Sequence, residues 1–420
     1  MTPRDLFLPE RPALRHRLMA LWRGPRFGSL LPDLAAFAGA LVTAVLAALL
    51  LGSLHGCGGG VGGEGTGSFA SGPITGFGSV IVNDVRYDDS TATVVDDDGS
   101  TLPAGSLALG AMVQVTGGSI GTDATDGSAV AKAFKVQITR AVVGPVTSVD
   151  AAAGRLVVLG QTVRTSASTV VDARLSGGLS GLKVGNLVEV HGSYDARGAA
   201  FVATRIALAG SDDSWRVRGP VTTVDATSRT FQIGSQTYSY TAATGSDALK
   251  AGAVVQVQVQ AGTSGSWQVK SPPKAEDGPS SGEGTELRGR VTALTSSTRF
   301  AVGNVTVDAS AAKLSGGSIA LGAEVKVSGT VSNGVLVARE VEVEDDNSGQ
   351  AYSLRGAVSS LDTAAKRLVI RGTTVSYARS GLVVEKGTLA QLAVGRQLRI
   401  DGVLSADRTV VEATRLRFED

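Results

Sequence analysis

The chain has 420 residues, 55 of them glycine, with 43% hydrophobic and 18% charged side chains and a formal net charge of +1. That apolar content excludes a broadly disordered chain, and the near-neutral balance excludes the strongly basic surface on which phosphate-backbone recognition depends. The only cysteine is Cys57, so no disulfide forms within the chain.

Residues 1–56 are a different material from the rest. Arg4, Arg11, Arg15, Arg17, Arg23 and Arg26 precede an apolar run from Leu34 to Leu54, which ends at Leu54-His55-Gly56-Cys57. A positive region, an apolar region and a small-residue site, in that order, mark a secretory signal. The stretch resembles the bacterial lipoprotein signal, in which Leu, two small residues and a lipid-modified Cys follow the apolar run. His55 departs from it, since a small residue is usual there. The reading is a lipoprotein-type signal at 1–56 and lipidation at Cys57. With Gly58 rather than Asp after the cysteine, the resemblance implies the outer membrane, facing the periplasm or the cell exterior. The alternative is an uncleaved anchor, because 21 apolar residues span roughly 30 Å as a helix. Either way the partner at this end is a membrane. Met1 and Met19 are both possible starts. Residues 57–420 hold 33 basic and 35 acidic side chains, a net of −2.

A glycine-rich tether is expected at 57–71, and then one unit is written five times. Gly72-Pro73-Ile74-Thr75, Gly144-Pro145-Val146-Thr147, Gly219-Pro220-Val221-Thr222, Gly289-Arg290-Val291-Thr292 and Gly356-Ala357-Val358-Ser359 open the copies. A second signature, Gly110 to Gly117, recurs at Gly185 to Gly192, Gly322 to Gly329 and Gly395 to Gly402. The third copy keeps only the strand, Gly252 to Val259. Self-similarity at this period predicts repeats at 72–140, 141–210, 214–270 (truncated), 286–344 and 352–419, with linkers at 271–285 and 345–351.

The second copy shows the internal plan. Val142 to Val149, Arg155 to Leu159 and Gln161 to Thr165 read as three strands. Ser166 to Val184 leaves room for a short helix. Leu187 to Gly192 and Ala200 to Leu208 read as two more strands. Three strands, an insert and two strands is the order of the OB-fold, so the fold class is all-β: a tandem array of five small OB-like five-stranded β-barrels after the N-terminal signal or anchor segment. An open roll or sandwich has the same strand order and stays open as the alternative.

The copies resemble the bacterial domain-of-unknown-function family 5666. The residues that carry the likeness are Gly144-Pro-Val-Thr-Ser-Val-Asp150, Gly185-Asn-Leu-Val-Glu-Val-His-Gly192 and Ala203-Thr204-Arg205-Ile206. The resemblance covers about residues 71–419 and brings no activity with it.

Catalytic chemistry has little to work with. After residue 56 the only histidine is His191, read as a solvent-facing strand residue, and no nucleophile elbow adjoins it. Zinc needs several His or Cys ligands. The glycine-rich stretches lack Gly-Lys-Ser/Thr. Asp96-Asp97-Asp98, Asp123 with Asp126, and Glu342-Glu344-Asp345-Asp346 read as solvated turns without calcium-loop spacing. Tyr87, Tyr240 and Tyr377 fall at one equivalent position and read as core rather than as a stacking platform. The expectation is a non-enzymatic envelope module without cofactor or metal, contacting a protein or glycan and not nucleic acid. The alternatives are an envelope hydrolase with a site between units, or a weak oligosaccharide or nucleic-acid binder using OB-like faces.

Overall fold

The computed structural model describes residues 67–210, 215–245, 247–262, 266–276, 278–345 and 349–419. The signal segment, Cys57 and most of the tether lie outside them. Repeat one contains β1 (Ser68–Phe77), β2 (Val80–Val82), β3 (Val85–Asp88), β4 (Thr93–Val95), β5 (Thr101–Leu102), β6 (Met112–Gly117), β7 (Gly121–Thr122) and β8 (Ala129–Ile138). Repeat two contains β9 (Val142–Asp150), β10 (Arg155–Val158), β11 (Gln161–Val171), β12 (Leu187–Asp195) and β13 (Ala200–Leu208). Repeat three contains β14 (Arg216–Asp225), β15 (Thr230–Ile233), β16 (Gln236–Ser239), β17 (Val254–Ala261), β18 (Trp267–Val269) and β19 (Lys274–Ala275). Repeat four contains β20 (Gly284–Leu294), β21 (Arg299–Val302), β22 (Val305–Asp308), β23 (Lys313–Ser315), β24 (Glu324–Ser332) and β25 (Val335–Glu344). Repeat five contains β26 (Tyr352–Asp362), β27 (Arg367–Ile370), β28 (Thr373–Ser376), β29 (Val383–Glu385), β30 (Gln397–Leu404) and β31 (Val411–Phe418).

In repeat two, β9 pairs antiparallel with β10, and β10 with β11. β11 runs parallel to β13, β13 is antiparallel to β12, and β12 returns to β9. That last pairing closes the sheet into an OB-like barrel and removes the open roll from consideration. The same circuit of pairings runs through repeat one, repeat three, repeat four and repeat five. The truncated third copy closes with a three-residue last strand, and Trp267 on it meets Trp215 edge-on at 5.6 Å.

The repeated signatures have physical causes. The Thr or Ser that ends the first signature sits at a β-bulge on the first strand. Its hydroxyl donates to a carbonyl of the second: Thr147 to Val157, Thr222 to Gln232, Thr292 to Ala301 and Ser359 to Val369. The glycine that opens the second signature turns the chain with positive φ (+90° at Gly185), and its N–H donates to the third residue of the first signature. The two signatures therefore meet in every barrel. The closing glycine marks a second bulge. A Cβ at Gly192 would lie 2.2 Å from the Val202 carbonyl oxygen, so only glycine fits there.

The barrels are not strung out like beads. β1 pairs in parallel with β20 of repeat four over Ser68–Ser71 and with β26 of repeat five over Gly76–Phe77. β9 pairs antiparallel with β14 of repeat three at Val142 and Val143. Repeats one and five share a core around Tyr87, Leu354 and Phe418. Repeats two and three share another around Phe201, Phe231 and Tyr238, and repeat four keeps its own around Phe300 and Val327. The described residues belong to one compact unit.

Three expectations change accordingly. Ser68–Ser71, placed in the tether, begin β1. Lys274–Ala275, placed in a linker, add a short strand to β17. The helical insert becomes single 3-10 turns at Ala104–Ser106, Gly178–Gly181 and Leu389–Gln391 in repeats one, two and five. Glycine-rich, short connections cannot nucleate a longer helix.

Candidate functional site

Charged side chains converge where repeats one, two and three meet. Asp97 follows β4, and its side chain is 0% exposed. Its Oδ1 accepts the Arg140 backbone N–H at 3.0 Å and its Oδ2 accepts Arg140 Nε at 2.8 Å. Arg140 lies on the connection from barrel one to barrel two. Arg216 of β14 reaches the same carboxylate at 3.4 Å and Asp98 at 3.2 Å. One aspartate thus ties the connection and the third barrel to the first. A buried carboxylate is tolerated because guanidinium and amide donors replace its water shell. The solvated-turn reading of Asp96-Asp97-Asp98 is corrected at Asp97: the local sequence is turn-like and Asp98 stays exposed, but neighbouring barrels cover Asp97.

Beside this cluster a cavity of about 100 Å³ opens among repeats one to four, walled by Phe69, Met112, Phe201, Leu287 and Val305. Its polar side is Glu276, whose Oε1 accepts Arg218 Nη1 at 2.8 Å and Gln114 Nε2 at 2.9 Å. Repeats one and three and the segment after β19 contribute to this small network. Apolar walls with a few convergent polar groups are the usual make-up of a ligand site.

A second cavity of about 240 Å³ lies between repeats one and two and is lined by Ser106, Arg140, Glu189, His191 and Arg205. His191 is 2% exposed, so the solvent-facing reading is corrected. Alternation does put it on the outer face of barrel two, opposite Arg205. Repeat one then covers that face. His191 Nδ1 lies 3.0 Å from the Thr139 carbonyl and 3.3 Å from the Met112 N–H, and Nε2 lies 3.7 Å from Glu189. Burial works to raise the Glu189 pKa, but His191, Arg140 and Arg205 outweigh it and leave the carboxyl at about 2. No hydrogen bond joins Ser106 to His191 among the described residues.

Three of the other acidic groups hold arginines. Asp123 and Asp126 grip Arg86 at 2.6 and 3.0 Å, and Glu344 meets Arg288 at 2.6 Å. Asp346 lies outside the described residues. The described residues contain no group of three His, Cys, Asp or Glu side chains placed for a metal. Tyr87 and Tyr377 are core residues and Tyr240 packs half-buried against the core, but their equivalence is corrected. Tyr87 pairs with Val80 as Tyr238 does with Phe231 and Val375 with Leu368, so Tyr87 and Tyr238 share a position. Tyr240 and Tyr377 share the next outward one, where each N–H donates to the carbonyl of Arg229 or Lys366.

Sequence reasoning missed Arg140, Arg216, Arg218 and Glu276. The signal was present at Arg216 and Arg218, which flank the buried Val217 and point outward from a barrel with few other charges.

Closed five-stranded circuits joined through buried ion pairs define a multi-barrel repeat protein. Residues 143–207, 218–268, 288–342 and 355–417 match the model described as Domain of unknown function (DUF5666), together more than half of the chain, and the chain belongs to that family. Repeat one lies outside the match yet has the same circuit. No curated protein matches the chain. Among solved structures it is similar to the Drosophila structure titled "drosophila Unr CSD456", with 14% identity over 50% of this chain and 98% of that chain and a TM-score of 0.13. The barrel assignment stands on the strand pairings, not on this likeness.

Proposed function

We propose that the chain is a non-enzymatic binding scaffold of the bacterial cell envelope, held to a membrane by lipid on Cys57 and contacting an envelope protein or glycan. The observation that carries the reading is the Asp97 cluster. The buried charges at the junctions are spent on one another and on fixing barrels together, which suits a rigid body that presents outer faces. The anchor part rests on Leu54-His55-Gly56-Cys57 at the end of the apolar run. The outer membrane is the proposed site, facing the periplasm or the exterior. Labelling cells with a fatty-acid analogue and fractionating wild type against Cys57→Ser tests it. Loss of label and of membrane retention supports lipidation; unchanged size and retention supports an uncleaved anchor.

A second reading is an envelope hydrolase with a site between units. What favours it is the cavity that collects Ser106, Glu189 and His191 from two repeats. His191→Ala separates the two readings. A scaffold keeps its partner binding in the folded variant, whereas a hydrolase loses turnover.

A further inference from the structure

Repeat five differs from its siblings in charge. Residues 352–419 carry eleven Lys and Arg against six Asp and Glu, a net of +5 in a chain of net +1. Three of these arginines form one row. Arg355 on β26 is directly opposite Arg399 on β30, and Arg399 is directly opposite Arg417 on β31. Leu354, Leu398 and Leu416 beside them face the core, so the arginines face outward. Strands lie about 4.8 Å apart, so the row extends over about 10 Å. Like charges directly opposed across strands are destabilising.

The equivalent row in the other barrels has another composition and another use. It reads Ser71, Gln114, Gln137 in repeat one and Val143, Glu189, Ala207 in repeat two. In repeat three it begins Arg218, Gln256, and in repeat four it reads Arg288, Lys326, Glu342. Gln114 and Arg218 share Glu276, Glu189 faces Arg140 and Lys326 of repeat four meets Asp84 of repeat one, so those rows are spent on junctions. In repeat five the nearest acid to Arg399 is Asp401 at 4.0 Å, and Arg417 has no ion pair among the described residues. Arg355 is held by Glu419. Arg355 and Arg399 form one wall of an open cavity of about 230 Å³, and Gly78, Ser79 and Arg86 of repeat one form the other. Asp88 and Asp123 also line it, the latter bound to Arg86.

We propose that the Arg355–Arg399–Arg417 row binds a linear, carboxylate-bearing glycan strand. This deepens the scaffold reading, on which it rests, by naming the ligand class. Spaced guanidinium groups match spaced carboxylates, and Ser79 and Ser353 stand beside them for sugar hydroxyls. The cleft is concave, which suits a polymer chain better than a flat bilayer. Single-stranded nucleic acid needs exposed aromatic rings to stack on, and the aromatic lining this cleft, Phe77, is only 2% exposed.

The test uses the full chain in detergent with polygalacturonate, neutral dextran, phosphatidylglycerol vesicles and oligothymidylate as probes. Polygalacturonate should bind in a salt-dependent manner and dextran should not. Arg399→Gln with Arg417→Gln should weaken binding about tenfold and lower the log–log salt slope by about 1.5, at roughly 0.7–0.9 per neutralised charge. The same pair should leave thermal stability unchanged or raised, because opposed like charges are removed. Lys313→Gln, exposed on repeat four, should change neither. Wild-type affinity in the double variant overturns the proposal, as does binding of vesicles, dextran or oligothymidylate in preference to polygalacturonate. The Cys57→Ser fractionation reads the anchor independently, so the two failures are distinguishable.

Discussion

Asp97 Oδ2 accepts Arg140 Nε at 2.8 Å with the carboxylate fully buried, and this pair fixes the chain at the point where barrel one passes into barrel two. Arg216 from barrel three closes on the same carboxylate at 3.4 Å. The junction adds buried charge to the apolar core that repeats two and three share. It explains how units of about 70 residues, individually marginal, persist together.

Two glycines of the second signature should respond differently to substitution. Gly185 adopts φ +90° with open space around its Cβ direction, so Gly185→Ala costs backbone strain of about 1–2 kcal/mol. Gly192→Ala drives a methyl to within 2.2 Å of the Val202 carbonyl oxygen, and the bulge itself must move. Urea unfolding should show the larger loss for Gly192→Ala; equal losses would mean that the bulge is soft.

Glu276 should matter although it falls in a stretch read as a linker. Glu276→Ala leaves the buried Gln114 and the half-buried Arg218 without their shared acceptor, at a cost of about 2–3 kcal/mol. Glu276→Gln keeps one acceptor oxygen and should recover part of it. Chemical denaturation of both variants checks the order.

Stability should fall as pH rises across neutrality. Burial pushes Glu286 up to about 7, only partly offset by Lys326 and Arg339, while Asp84 and Glu340 push the same way as burial. The folded state therefore holds this proton more tightly than the unfolded chain does. The resulting stabilisation is complete below about 4.5 and is lost as pH rises through about 7. The thermal midpoint at about pH 8 should lie below that at about pH 5.5, and Glu286→Gln should flatten the difference. An unchanged slope in Glu286→Gln would assign the effect to other groups.

Much of each barrel was legible in the sequence. Alternation in β9 to β13 shows which residues face inward, and the two signatures mark the bulge and the turn that join. What alternation does not show is what covers an outward face. His191 and Asp97 are outward or turn residues by local pattern and are buried by another repeat. The tyrosine equivalence failed for a related reason. Positions two apart on a strand share a face, so the apolar pattern does not separate Tyr87 from the site of Tyr377. Only the cross-strand partners, Val80 for Tyr87 and Leu368 for Val375, set that register. The arginine row was invisible because its members come from three strands far apart in the chain.

The barrels form one body, locked at the Asp97 junction through shared buried charges. Asp97→Asn, read by hydrogen-exchange mass spectrometry on the full chain, tests it most directly. Removing the charge takes from Arg140 and Arg216 the buried carboxylate they share and leaves them the more exposed Glu189 at 3.6 Å and Asp98 at 3.2 Å, a loss of up to about 3–5 kcal/mol where a buried pair is broken. Amides in β6, β9 and β14, one strand from each of three barrels, should speed up together. Faster exchange confined to repeat one, with β9 and β14 as protected as in wild type, would contradict it.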